Sequence, residues 1–138
     1  MKQYLTLVAF FFFVSFLHAQ PALDKYIVKE LKEANLEDSQ WIMEESKTSV
    51  NYQLTISNSK ITLVDIDDYY DVAEEYNILS TANAEKSDKG ISYKYTCVNP
   101  DGEDQAPISA TLFLSAESDG ELIISWEDFR YIYKLKRL

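Results

Sequence analysis

The chain has 138 residues and carries 13 Lys and Arg against 23 Asp and Glu, which gives a net charge of -10 at neutral pH. A chain of this length suits one domain with its own apolar core. Its acidity repels phosphate groups, so we expect no nucleic-acid partner and no binding to anionic lipid.

Residues 1–19 have the layout of a secretory signal peptide. Lys2 supplies a positive start, an apolar run extends from Leu5 to Leu17, and Ala19 with Gln20 offers a cleavage point. The run is too short to span a bilayer comfortably, so we expect no stable membrane anchor. The sequence therefore predicts an exported protein, periplasmic or extracellular, with one mature domain over residues 20–138.

Cleavage of this leader removes His18, the only histidine. Without imidazole the mature chain cannot form a Ser-His-Asp triad, a Cys-His pair or the usual zinc sites. The three glycines stand apart, which excludes a glycine-rich phosphate loop. We therefore expect no enzymatic activity and no cofactor. Cys97 continues an alternating apolar row, and we expect it to be a buried free thiol rather than an intermolecular link.

The first predicted element is an amphipathic helix from Pro21 to Leu36. Its apolar residues recur every three or four positions, which is the period of a helix face: Leu23, Ile27, Leu31 and Ala34. The heptapeptide that begins at residue 40, QWIMEES, is compatible with either a first strand or a second short helix. One helix therefore precedes the first secure strand.

Strict alternation of apolar and polar residues begins at Val50 and predicts a strand over residues 50–57. A short break at Asn58 and Ser59 leads into KITLVDI, which we interpret as its hairpin partner. The segment YNILSTA, residues 76–82, is a further predicted strand.

The second half of the chain predicts four consecutive antiparallel strands. Alternation over residues 91–97 is followed by the turn-rich segment NPDGEDQAP and by alternation over residues 108–116. Asp119-Gly120 is a strong signal for a hairpin turn. The apolar phase then slips between Trp126 and Phe129, which predicts a tight reversal at Glu127-Asp128.

The predicted fold is mainly β with one N-terminal helix. Six to eight strands with short connections favour an antiparallel meander that forms a closed or partly closed barrel. The alternative is an α+β fold in which a curved antiparallel sheet wraps around the helix.

The stretch DIDDYYDVAEE, Asp65 to Glu75, contains six carboxylates among eleven residues. We interpret it as the start of a short helix, capped by Asp67 or Asp68, whose inner face carries Tyr69, Val72, Ala73 and Tyr76. A metal site is the weaker hypothesis, because the spacing does not match an EF-hand loop. Its calcium ligands would be Asp65, Asp67, Asp68 and Asp71.

Tyrosine is enriched, with ten residues of which only Tyr4 lies in the leader. Buried tyrosine combines a large apolar body with a hydroxyl that needs a partner, so it suits a ligand cavity as well as ordinary cross-strand packing. The candidates for lining such a cavity are Trp41, Tyr52, Tyr93, Tyr95, Trp126, Tyr131 and Tyr133. On the opposite face of the last strand, Arg130, Lys134 and Lys136 predict a guarded sheet edge or, alternatively, a docking stripe.

The layout of the chain resembles that of small lipocalin-like (calycin-type) domains secreted by bacteria. The shared features are a leader, an N-terminal helix, Trp41 near the first strand, a run of hairpins and a closing YIYKLKRL. Ser39 stands two residues before Trp41, where that family has glycine. The late arginine that packs on the tryptophan corresponds to Arg130 or Arg137. The resemblance implies an eight-stranded barrel that can hold one small apolar ligand.

Three functions follow from the sequence. The first is a non-catalytic exported domain that holds a small, mostly apolar ligand in a tyrosine-rich interior. The second is an acidic protein-interaction or inhibitor module that meets a basic partner through its surface or an exposed strand edge. The third is a carboxylate-based hydrolase, for which any of the many acid pairs is a candidate.

Overall fold

The computed structural model describes residues 21–23, 26–101, 106–117 and 119–138, so the predicted signal peptide lies outside the described residues. The described strands are β1 (Tyr26–Glu37), β2 (Gln40–Ile56), β3 (Lys60–Asp65), β4 (Asp71–Thr81), β5 (Glu85–Lys86), β6 (Gly90–Val98), β7 (Ile108–Ser115), β8 (Asp119–Ser125) and β9 (Phe129–Arg137). Within these ranges, no helix has the length and apolarity that crossing a membrane requires.

Eight of these strands form a closed antiparallel barrel. From β1 to β4 and from β6 to β9, each strand pairs with the next one along the chain. The ring is closed by pairing of β4 with β6 and of β1 with β9, while the short β5 pairs with the other end of β6. The predicted antiparallel meander and barrel are confirmed.

The predicted helix over Pro21 to Leu36 is wrong, because residues 26–37 form strand β1. Its pairing with β9 shifts register between Val28 and Glu30, and this bulge changes which residues face inward. Val28 and Leu31 therefore both contact the core although they are three residues apart. Of the four residues of the predicted helix face, Leu23 and Leu31 contact the core, whereas Ile27 and Ala34 lie on the other face of β1, opposite Lys136 and Arg130. In the described residues no helix remains for a sheet to wrap around.

The predicted short helix after Asp67 is also wrong. The segment forms a hairpin turn in which the backbone N–H of Asp71 donates to the carbonyl oxygen of Asp68 at 2.9 Å. The two central residues, Tyr69 and Tyr70, have φ angles of 52° and 60°, as a type I′ turn requires. Residues 71–81 then continue as β4.

Tyrosine is a poor residue for this turn, since a side chain at positive φ costs roughly 1 kcal/mol. We predict that the double variant Tyr69→Asn with Tyr70→Gly gains about 1 kcal/mol of unfolding free energy, measured by urea denaturation. The matched control is the other type I′ turn, where Asp38→Asn with Ser39→Gly should gain less, since Asp tolerates positive φ better than Tyr. A loss of stability in the tyrosine turn would contradict the prediction.

Most strand predictions are confirmed. QWIMEES is part of β2, YNILSTA is part of β4, and the four final strands β6 to β9 lie side by side. The reversal at Glu127-Asp128 is closed by the N–H of Trp126, which donates to the carbonyl oxygen of Phe129 at 2.9 Å. Asp119-Gly120 is not the turn, because both residues are already paired in β8. A side chain at Gly120 would lie 2.7 Å from the carbonyl oxygen of Phe113, so this glycine permits close strand approach.

The core fills the middle of the barrel. Cross-strand neighbours point to the same side of a sheet, and the inward sets from all eight strands meet on the axis. Among them are nine fully buried side chains: Leu54, Ile61, Leu63, Tyr76, Leu112, Leu122, Ile124, Tyr133 and Leu135. At the end where β1 begins, Leu23 and Tyr26 are also buried in this core.

Candidate ligand-binding mouth of the barrel

The opposite end of the barrel carries the turns at Asp38-Ser39, Asp68 to Asp71 and Glu127-Asp128. Inward-facing side chains at this end are only half-buried, so each of them is partly accessible to solvent. We call this set the mouth and define it as Glu33, Tyr52, Asp65, Glu74, Trp126, Phe129 and Tyr131. It is the part of the described interior that combines aromatic rings with carboxylates.

Strand register brings these residues together. Glu33 on β1 lies opposite Tyr131 on β9, and Tyr52 on β2 lies opposite Asp65 on β3. Glu74 on β4 lies opposite the fully buried Leu63, which fixes its side chain on the inner face. Each carboxylate of the mouth therefore reaches it from a different strand.

The aromatic rings of the mouth form one continuous cluster around Trp126 and Tyr131. The two ring centroids are 5.5 Å apart at an interplanar angle of 87°, an edge-to-face contact. Phe129 lies 4.9 Å from Tyr131, and Tyr76 lies 6.0 Å from Trp126. Tyr133 continues the cluster toward the core, 6.0 Å from Tyr131. These contacts hold a rigid aromatic wall on one side of the mouth.

Glu74 is the carboxylate with the most unusual surroundings. Burial raises the pKa of Glu74 above its ordinary value, and a long hydrogen bond from the Tyr76 hydroxyl, 3.4 Å, opposes that shift. Burial is also the main reason that four phenol pKa values are raised, and the charge of Glu74 raises each of them further: Tyr52, Tyr76, Tyr131 and Tyr133. Glu74 therefore lies at the electrostatic centre of a group of neutral tyrosines.

The other predicted lining residues lie deeper or outside. Tyr95 faces Ala110 and Tyr93 faces Leu112, both on the inner side of the wall and away from the mouth. Burial raises the pKa of Tyr95 to about 12. Two residues after Tyr95 lies Cys97, a buried free thiol as expected, and burial raises its pKa to about 11. A thiol with so high a pKa is a poor nucleophile at neutral pH.

Trp41 lies on the outer surface rather than in the interior. It pairs with Leu36 at the end of the β1–β2 hairpin, and the guanidinium of Arg130 stacks over its ring at 3.9 Å. Nε of Arg130 donates a hydrogen bond to Oγ of Ser125 at 2.6 Å, which holds the guanidinium in place. Of the two arginines left open by the sequence, Arg130 is the one that packs on the tryptophan.

Basic residues of the last strand are engaged with neighbouring strands. Lys134 pairs with Glu121 of β8, and β9 is itself paired on both sides, with β1 and β8. The predicted role as guards of a free sheet edge is therefore wrong for this strand, because closure of the barrel leaves it no edge.

The four aspartates proposed for calcium serve the turn instead. Asp65 accepts a hydrogen bond from the backbone N–H of Asp67 at 3.0 Å, and Asp67 accepts one from Nδ2 of Asn51 at 2.9 Å. In the described part of the chain, no group of three or more His, Cys, Asp or Glu side chains is arranged to hold a metal ion.

A second depression lies on the outer wall, where β4 leaves β6. Its volume is about 290 Å³, and its lining is mostly hydroxyl-bearing: Ser80, Thr81, Ala82, Lys94, Tyr95, Thr96, Ser109 and Thr111. This polar, open surface does not suit a mostly apolar molecule.

Sequence patterns missed two residues of the mouth that matter most. Glu33 and Glu74 are ordinary acidic residues in a chain rich in them, and both lie in segments predicted to be helical. The available signal was alternation, because Glu74 stands two positions before the buried Tyr76 and so shares its face. Phe129 was assigned to a strand but not to the site.

The fold and the mouth together define a closed eight-stranded antiparallel barrel with one extra short strand and an aromatic, acidic opening. No protein family, no curated protein and no solved structure matches this chain.

Proposed function

We propose that this protein is an exported, non-catalytic binding domain that holds one small, mostly apolar molecule in the mouth of its barrel. The observation that carries the proposal is the aromatic wall of Trp126, Phe129 and Tyr131, which faces inward and is only partly buried. Large rings left accessible inside a concave surface provide most of the contact area of small-molecule sites.

The middle of the barrel is too full to be the binding site. Leu54, Leu63 and Tyr133 are all almost completely buried there. Eight-stranded barrels are narrow enough for side chains to fill, or to hold one small ligand near an opening. The ligand therefore binds at the open end, and membership of the lipocalin-like family, which the barrel layout suits, is part of the same proposal.

Native mass spectrometry of the protein purified from the cell envelope or medium tests this function. We expect a retained small molecule that is lost on denaturation. In the variant Tyr131→Ala the retained fraction should fall at least about tenfold, because an aromatic side chain at an interface commonly contributes more than 1 kcal/mol. An envelope-derived protein that carries no molecule would argue against the proposal.

Tyr69→Ala is the matched control, since Tyr69 is 92% exposed at the tip of the turn after β3. It should retain the molecule as the unchanged protein does. Thermal unfolding of both variants shows whether Tyr131→Ala is folded, and loss of ligand by a folded variant is the informative result.

A second candidate, the protein-interaction module, is favoured by one specific observation. Strand β3 covers only the last part of β2, Tyr52–Ile56. Residues 40–49 of β2 therefore have β1 on one side and, among the described residues, no strand on the other. An open edge can accept an added strand, and the exposed Glu44 and Glu45 suit a basic one. Co-purification of a protein partner that slows amide hydrogen exchange over residues 40–49 would support this candidate over the first.

A further inference from the structure

We propose that the molecule held in the mouth carries a positively charged organic group, an ammonium attached to an apolar body. This inference rests on the proposed function and names the chemistry of its ligand. It is carried by the placement of three carboxylates and the aromatic wall on the same inner surface.

Among the described residues, the carboxylates of the mouth have no cationic side chain in an ion pair with them. Across the described ranges, lysines form ion pairs with acidic residues elsewhere: Glu30, Glu75, Glu85 and Glu121. Glu33, Asp65 and Glu74 are in none of these pairs. Charged groups at a partly desolvated site are normally compensated, so the mouth has a deficit of positive charge.

Glu74 and its neighbour Glu75 show the contrast most clearly. Glu75 points to the outside, where Nζ of Lys60 lies 2.8 Å from its Oε1. Glu74 points inward, and its hydrogen bond is a long one from a neutral phenol. Its raised pKa is the expected result of placing a carboxylate among apolar rings without a cation. Such a carboxylate costs stability and is more easily explained by a bound ligand than by folding.

The aromatic wall selects the type of cation. The faces of aromatic rings attract cations, and the attraction grows when the cation leaves water. Trp126 and Tyr131 meet edge to face with their centroids 5.5 Å apart, so the faces of the two rings point in different directions. Rings at an angle to each other, with a carboxylate nearby, suit a bulky alkylammonium better than a small, strongly hydrated metal ion.

A pair of isosteric probes separates charge from shape. Benzyltrimethylammonium and neopentylbenzene differ by one atom and one charge, and their affinities can be measured by titration with backbone amide NMR detection. We expect the cation to bind at least about tenfold more tightly at neutral pH and low salt, with shifts centred on the mouth. Phenylacetate, an anion of similar body, should bind more weakly than either.

Variants locate the charge effect. Glu74→Gln keeps the shape of the side chain but removes its charge, so it should abolish most of the preference for the cation while leaving neopentylbenzene unaffected. The matched control is Glu75→Gln, which removes a charge one residue away on the outer face and should leave both affinities unchanged. Thermal unfolding of both variants checks that each is folded.

The preference should also depend on pH. The cation needs ionised Glu74, so its affinity is complete above the raised pKa of Glu74 and falls as the pH is lowered through that pKa, while the affinity of the neutral probe does not change. Neighbouring phenols stay protonated throughout, since their pKa values are raised. The titratable groups facing Glu74 from the surrounding strands are Glu33, Tyr52, Asp65, Tyr76, Tyr131 and Tyr133.

The outcomes distinguish this inference from the function on which it rests. Equal affinity for the two isosteric probes would overturn the proposal that the ligand is a cation, and so would a preference for the cationic probe that persists in Glu74→Gln. Either result leaves the proposed binding function intact. Failure of both probes to bind also overturns the cation proposal, and the molecule retained in native mass spectrometry then decides the binding function separately. A retained molecule without a basic group would likewise reject the cation.

Discussion

Replacing Leu63 by Ala is expected to lower the free energy of unfolding by about 3 kcal/mol. Leu63 is completely buried on the inner face of β3, between Leu54 on β2 and Glu74 on β4. Truncation removes buried apolar surface and leaves a cavity that a closed barrel cannot easily collapse, since each strand is held on both sides. Chemical denaturation measures the loss, and thermal unfolding should occur roughly 10 °C lower.

Leu79 provides the matched control for this substitution. It is a leucine on the neighbouring strand β4, but it is 60% exposed. Leu79→Ala should change stability by less than about 0.5 kcal/mol, as surface substitutions usually do. Similar losses in the two variants would mean that the interior is not packed as described.

The substitution Gly90→Ala is expected to cost more than about 2 kcal/mol, because it forces two backbones apart. A β-carbon at this position would lie 2.1 Å from the carbonyl oxygen of Leu114, with the Phe113 ring at 3.0 Å. Gly90 begins β6 opposite Ser115, so the clash falls on the pairing between β6 and β7. No rotamer change relieves a contact between a β-carbon and a backbone oxygen.

Ser92→Ala is the control for Gly90→Ala. Ser92 lies two residues further along β6, is half-buried, and pairs with Phe113. Its substitution introduces no new atom, so the change in unfolding free energy should stay below about 0.5 kcal/mol. A well-tolerated Gly90→Ala would indicate that β6 and β7 are further apart than described.

Local patterns succeeded where strands are regular. From β6 to β9 the alternation of side chains is uninterrupted, and one residue in two faces the core, so sequence and register agree. The reversal at Glu127-Asp128 was predictable because it changes the phase of that alternation. The number of strands and the shortness of their connections predicted a closed or partly closed barrel, and the pairings of β1 with β9 and of β4 with β6 decided that it is closed.

The same patterns failed at irregular positions. The bulge between Val28 and Glu30 moved the inward phase of β1 by one residue, so this segment lacks the strict alternation that would have predicted a strand. In the acidic stretch, the turn has Tyr69 and Tyr70 at positive φ, where glycine or asparagine is usual. Neither feature has a strong sequence signal, because tertiary pairing of β1 and of the β3–β4 hairpin overrides the local preference.

The candidate site was predictable only in part. Six of the seven proposed aromatic residues face the interior. Alternation along the strands places Tyr52, Tyr93, Tyr95, Tyr131 and Tyr133 there, and Trp126 joins them directly after β8. Trp41 lies outside, since its place follows from the pairing with Leu36 and from the stacking of Arg130. Glu74 could not be singled out among many acidic residues without knowing the true strand phase.

By itself, the sequence determined the acidity of the chain, the alternating strands of its second half and the supply of tyrosines for an interior. Only the tertiary structure decided which end of the barrel is open and which carboxylates face it. The physical reason is that composition and alternation are local properties, whereas the mouth is assembled from residues of several strands whose pairing, with bulges in β1 and at β3–β4, sets which side chains face inward.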